Sequence, residues 1–184
     1  LDPALVDERY EGVGSAKINL LCSHLEQIVP AGHQVLVFSQ FVSFLERIDT
    51  ALKQRGISCL LLEGKTRKRE EVIAKFRRGE ESVFLISLKA GGVGLTLTEA
   101  DYVYIMDPWW NPSVEAQAIN RAHRIGQDRA VNVYRLVAQD TIEEKVCQLQ
   151  AHKQRLIDTV VDDVGDGGTQ GMDIDQLIRS EERR

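Results

Sequence analysis

Two stretches of the sequence bring together groups that could act on an anionic substrate. In the first, Ser87-Leu88-Lys89-Ala90-Gly91-Gly92-Val93-Gly94-Leu95, three glycines follow directly on an apolar run. Glycines there let backbone N–H groups approach an anion closely and form a nest, although a tight loop needing positive φ would ask for the same residues. In the second, MDPWWNPSVEAQAINRAHRIGQDR at 106–129, Pro112 opens a helical pattern reaching about Ile125. Gln117, Arg121 and Arg124 then stand four and three residues apart and project from one face, with the small residues Ala118, Ala122 and Gly126 permitting close approach. A guanidinium is always charged and presents forked donors that match phosphate oxygens, so the pair suits charge stabilisation on a transferring γ-phosphoryl group. On a solvated helix the same arginines would do nothing, so their position in the fold decides between the two readings.

Other groups flank these. Asp107 ends an apolar run, and the adjacent Trp109 and Trp110 cannot both enter one core, because neighbouring side chains on a backbone diverge. One ring is expected at the surface; the competing reading has both sealing a sheet edge under a loop. Residues 65–78, KTRKREEVIAKFRR, set seven Lys or Arg against two Glu, a local patch for nucleic acid or simply a solvated face. No G-x-x-x-x-G-K-[ST] phosphate loop and no acidic D-E-x-H-type box occur in the sequence, so the groups that cradle phosphates and hold Mg²⁺ must come from elsewhere.

The elements that would position these groups alternate. Ser15 is a fitting N-cap for a helix in which Ile18, Leu21, Cys22, Leu25 and Ile28 recur at helical spacing, and Pro30-Ala31-Gly32 ends it. VLVF at 35–38, SCLLLEG ending at Gly64, VFLIS at 83–87, YVYIM at 102–106 and VNVYRLV at 131–137 read as five short apolar strands. Between them lie a helix over 41–55 stopped by Gly56, a helix following Thr66 and closed by Gly79, and the Pro112 helix. A long helical pattern after Asp140 runs to about Val161. Strand and helix in alternation imply an open α/β lobe, its parallel sheet covered on both faces by right-handed crossovers. Ligands of such sheets bind outside the carboxyl ends of the strands, which singles out the residues just after Phe38, Glu63, Ser87 and Met106.

At this point a resemblance emerges. SLKAGGVGLTLTEADYVYIMDPWWNP followed by QAINRAHRIGQDRAVNVYRLV resembles motifs V and VI of the Swi/Snf family within the superfamily 2 helicase-related ATPases. QVLVFSQF at 34–41 resembles motif IV, LLLEGKTRKREEVIAKF at 61–76 the segment that follows it, and DTIEEKVCQLQAHKQR at 140–155 the closing helix that braces two lobes. The likeness covers roughly residues 1–160 and departs from the family pattern at Lys65, where a small residue is more usual. It implies an α/β, RecA-like fold, the C-terminal lobe of a P-loop NTPase-type helicase. Within that fold it implies an N-terminal junction and helix over 1–30, the lobe proper over 31–139 and a brace helix over 140–162, while the Gly and Asp-rich start of 163–184 reads as a flexible acidic tail with a short helix expected near Ile174 to Arg179. It further implies that Arg121 and Arg124 are arginine fingers toward ATP held by the N-terminal RecA-like lobe of the same protein, with Gln117 placing the attacking water or the γ-phosphate. Gly92, Gly94 and Asp107 fall on the nucleotide side, and Ser39, Gln40, Lys65, Lys89, Thr96 and Trp110 near DNA. ATP and Mg²⁺ would be bound only by the intact two-lobe enzyme, acting on double-stranded DNA and on a DNA-bound protein. Two alternatives share much of this reading: a non-enzymatic DNA- or protein-binding module, and a lobe of an RNA helicase.

Composition sets the outer limits. With 184 residues, 43% of them hydrophobic, the chain can bury one full core. No apolar run approaches the ~20 residues that span a bilayer, and LDPALVDERYEG lacks the regions of a signal peptide, so an intracellular protein is expected, and the family resemblance implies nucleoid or nucleus. Cys22, Cys59 and Cys147 form no C-x-x-C pair and read as reduced thiols, with no metal site. The net charge of -5 argues against coating nucleic acid by bulk electrostatics. Much of that acidity sits in the tail, at Asp158, Asp162, Asp163, Asp166, Asp173 and Asp175, so charge is segregated along the chain.

Overall fold

The computed structural model describes residues 14–90, 95–109, 111–122 and 130–165. Its centre is a five-stranded sheet in the order β2-β3-β1-β4-β5, with β1 Val35–Ser39, β2 Cys59–Leu62, β3 Val83–Ser87, β4 Tyr102–Ile105 and β5 Asn132–Arg135. Every pairing is parallel. β1, at the middle, and β3 beside it are buried along their whole length, which is why both sequences are unbroken apolar runs rather than alternating ones.

The period of two along each strand sorts the core into two halves. Leu36, Phe38, Phe84, Ile86, Val103 and Ile105 face one way, where they meet Ile73 and Phe76 of α3 (Arg69–Arg77) and Ala118 of α4 (Pro112–Ile119). Val35, Val37, Val83, Leu85, Tyr104 and Met106 face the other, against α1 (Ala16–Ile28) and α2 (Val42–Gln54). Two layers of helix on a parallel sheet follow from those two apolar faces, since each face must be covered.

Caps fix where the helices begin and end. The Ser15 hydroxyl accepts the Ile18 N–H at the start of α1, and Asn111 accepts the Ser113 N–H ahead of Pro112 in α4. Gly56 (φ +72°) and Gly79 (φ +69°) close α2 and α3 in the left-handed region, as their sequence positions indicate. Helix α3 starts later than Thr66: that side chain is taken up in a turn, its hydroxyl accepting the Glu63 N–H at 3.0 Å. Helix α5 (Ile142–Gly165) follows Asp140. The chain forms two compact units, one up to Gln148 and a second from Leu149 onward. Among the described residues no helix is long and apolar enough to cross a membrane.

Candidate site at the carboxyl ends of the strands

Because all five strands run the same way, their carboxyl ends share one edge, and the candidate residues gather there. Ser39 is the last residue of β1, Lys89 lies two residues past β3, and Asp107 two past β4. Backbone bonds extend the sheet slightly beyond the strands: Leu88 N–H donates to the Ser39 carbonyl and Met106 N–H to the Phe38 carbonyl, each at 2.9 Å.

Asp107 joins the tips of β1 and β4. One carboxylate oxygen accepts the Ser39 hydroxyl at 2.5 Å and the other the Gln40 N–H at 3.0 Å; Ser39 Oγ in turn accepts the Phe41 N–H. Asp107 is 2% exposed and Ser39 fully buried. Burial pushes the Asp107 carboxyl above its ordinary value, and the bonds from Ser39 and Gln40 offset only part of that push. Gln40 also reaches the Pro108 carbonyl at 3.4 Å. Residues 39–41 and Asp107-Pro108 are thus one hydrogen-bonded unit.

The glycine segment itself, with Gly92 and Gly94, lies outside the described residues, as do Trp110 and Arg124. Its flanks are described. Arg69 donates to the Ala90 carbonyl at 2.5 Å, Arg77 to the Thr96 carbonyl at 2.7 Å, and the Leu97 N–H donates to the Arg121 carbonyl at 2.9 Å. Lys89 and Lys65 are exposed, whereas Thr96 is half-buried.

Around Arg121 the structure departs from the periodic reading. The sequence pattern extends the helix to about Ile125, but α4 ends at Ile119 and Arg121 lies in the turn beyond it. The bonds tighten there from i−4 to i−3, with Arg121 N–H on the Ala118 carbonyl and Ala122 N–H on the Ile119 carbonyl. The Arg121 carbonyl meanwhile turns to Leu97, so a contact distant in sequence replaces a continued helix. Gln117 is exposed on α4 while Arg121 is 7% exposed, so the two do not share one helical face.

Four residues that sequence reasoning passed over organise this edge. Lys17 of α1 is buried and donates to the Met106 carbonyl at 2.6 Å and to the Glu143 carboxylate of α5. Burial raises the Glu143 carboxyl, but the bond from Lys17 and the Ala138 N–H outweigh it, and the net shift is downward. Glu115 of α4, 2% exposed, accepts the Trp109 N–H at 2.8 Å and the Arg135 guanidinium at 2.9 Å, fixing the backbone at Trp109 between α4 and β5. Trp109 itself packs against the core on the α3 and α4 side. Lys17 did leave a signal: it stands four residues before Leu21 on the apolar stripe of α1, where a lysine needs a buried partner.

The donors at this edge are cationic or neutral: Lys89, Gln117, Arg121. Among the described residues no group of three or more His, Cys, Asp or Glu could hold a metal ion.

A parallel α/β lobe that gathers motif-bearing loops at its carboxyl edge is the class of the helicase second lobe. Residues 16–126 match the family described as the helicase conserved C-terminal domain. The chain is 48% identical over 148 residues to the DNA repair protein RAD5B of Arabidopsis thaliana, a match covering 78% of this chain and 12% of that protein. It is 41% identical over 151 residues to Protein CHROMATIN REMODELING 24 of the same plant, covering 80% of this chain and 14% of that one. The crystal structure of the C-terminal part of the Fun30 ATPase domain aligns with a TM-score of 0.70 at 38% identity, over 74% of this chain and 45% of that chain. The chain therefore belongs to the helicase conserved C-terminal domain family, in its Swi/Snf-type branch.

Proposed function

We propose that this chain is the second motor lobe of an ATP-dependent double-stranded DNA translocase or remodeller, competent for hydrolysis only beside its N-terminal RecA-like lobe. The observation that supports this best is the joining of the Arg121 turn to the segment after β3, through the Leu97 N–H on the Arg121 carbonyl, at the ligand-binding edge of the sheet. The relatives named above are a repair protein, a remodelling protein and part of an ATPase domain; ATP comes to this reading from the last of these, and Mg²⁺ is proposed with it.

ATP would supply a γ-phosphoryl group whose charge spreads over its oxygens during transfer. The chain's part is to meet that charge. Arg121 and Arg124 would donate to the phosphate oxygens, Gln117 would orient the attacking water or the phosphate, and Mg²⁺ would sit on acidic residues of the other lobe. Arg121 is held close against this lobe, so its side chain would turn outward as the two lobes meet. Asp107 would act on the nucleotide side through the groups it holds, fixing Ser39 and Gln40 rather than touching the phosphates. Lys65, Lys89, Thr96 and Trp110, with Ser39 and Gln40, would face the DNA backbone, Gly92 and Gly94 shaping the segment between.

In the full two-lobe protein, Arg121→Ala is expected to lower DNA-stimulated ATP turnover by ~10³ or more, the usual worth of an arginine finger. Unchanged turnover would overturn the assignment. The isolated chain should show no ATPase and hold duplex DNA weakly; firm binding by the chain alone would favour a binding module instead.

A further inference from the structure

We infer that Arg69 and Arg77 are positioning residues that clamp the two flanks of the glycine segment and tie it to the turn bearing Arg121. The inference rests on the motor reading above for its consequence, though not for its geometry.

The two arginines are the first and last residues of α3, and with Ile73 between them they follow at i, i+4 and i+8 along one stripe. Ile73 and Phe76 are buried in the core, so the helix cannot shift without disturbing it. From its start the Arg69 Nη2 reaches the Ala90 carbonyl at 2.5 Å, immediately before residues 91–94. From its end the Arg77 Nη2 reaches the Thr96 carbonyl at 2.7 Å, just after them, while its Nε faces the Glu99 carboxylate at 3.9 Å. The second oxygen of Glu99 is buried without a hydrogen-bond partner. That carboxylate adds a weak, solvent-screened attraction on the same side of the helix.

A charged donor on a carbonyl makes a stronger bond than a neutral one, and a planar fork loses less freedom in making it than a lysine would. One residue beyond Thr96 the Leu97 N–H bonds the Arg121 carbonyl. The order α3, Thr96, Leu97, Arg121 is thus a continuous run of bonds from the basic helix to the proposed finger. The seven cations of residues 65–78 consequently divide in function. Lys65 and Arg67 are exposed and remain available to a phosphate backbone and Lys68 pairs with Glu71, whereas Arg69 and the exposed Arg77 each donate to one of the chain's own carbonyls.

The test uses the full two-lobe protein with Arg69→Gln, Arg77→Gln and Arg77→Lys, and Arg78→Gln as a control. Arg78 stands at the same helix end and pairs with Glu80, so its loss removes the same charge without touching the segment. Arg77→Gln is expected to speed amide hydrogen exchange at Leu97 about tenfold, the lower bound for loss of one charge-assisted bond, while Arg69→Gln, which frees only the Ala90 carbonyl, should leave Leu97 near the parent rate. DNA-stimulated kcat should fall by a similar factor with KM for ATP and Tm near the parent values. Arg77→Lys should recover part of both losses, and Arg78→Gln should match the parent. A general loss of fold would instead lower Tm and move kcat and KM together, and would overturn the clamp. So would parental exchange and parental kcat in Arg77→Gln of a protein that Arg121→Ala disables. If Arg121→Ala has no effect, the motor reading fails by itself, and the clamp then stands or falls on Leu97 exchange alone.

Discussion

Lys17 and Glu143 make a buried ion pair whose strength can be measured by a double-mutant cycle. Their side chains are 8% and 11% exposed, far from the solvated pairs that contribute next to nothing. Removing one member strands the other in a site that disfavours charge, at a cost of about 3–5 kcal/mol for buried pairs. Glu143 keeps the Ala138 N–H at 3.0 Å as a partner, so Lys17→Met should fall at the lower end, about 3 kcal/mol. For a chain of this size that corresponds to a Tm lowered by about 6–12 °C. Glu143→Gln should cost a comparable amount, because the Lys17 ammonium then retains only the Met106 carbonyl and a neutral amide. Replacing both should cost well under the sum, with a coupling of about 2–3 kcal/mol. Urea unfolding of the chain and of the three variants at neutral pH supplies the four values. The same pair predicts an acid limb. The folded Glu143 carboxyl lies below its ordinary 4.5, so its stabilisation is complete above that value and is lost as pH falls through the lower, folded one. The parent should therefore lose stability more steeply there than Glu143→Gln. Additive single costs, or identical acid limbs, would refute the reasoning.

Two further outcomes follow from local geometry. Gly56→Ala should destabilise by about 1 kcal/mol in thermal unfolding through backbone strain alone, since φ is +72° and an added Cβ meets nothing within 4 Å. Cys59 should react far more slowly with an alkylating reagent at mild alkaline pH than a free thiol, because burial and the Asp49 carboxylate beside it both push its pKa upward. A thiol alkylated at the rate of a small-molecule thiol would contradict that placement.

Much of this lobe is legible in the sequence because its signals are local. The unbroken apolar runs at Val35 and Val83 announce strands buried on both faces, and Ser15, Gly56, Gly79 and Pro112 mark helix ends through the backbone preferences of those residue types alone. The ordered succession of the glycine segment, DPWWNP and RAHRIGQ identifies the family for the same reason. Periodicity fails at Arg121. Nothing in the local pattern reveals that its carbonyl will be claimed by Leu97, and that contact accompanies the end of α4 at Ile119 where helical spacing alone would continue.

Chain order alone therefore determined which elements form and to which family the lobe belongs, since each depends on neighbours within a turn or two. Only the folded chain decided which charges are spent inside. Lys17 meets Glu143 across 126 positions, Ser39 meets Asp107 across 68, and the part-buried Arg69 bends to a carbonyl 21 residues away. A charged side chain looks alike in sequence whether it faces solvent or a buried partner. The low-dielectric interior separates the two cases, because there an unpaired charge is too costly to persist.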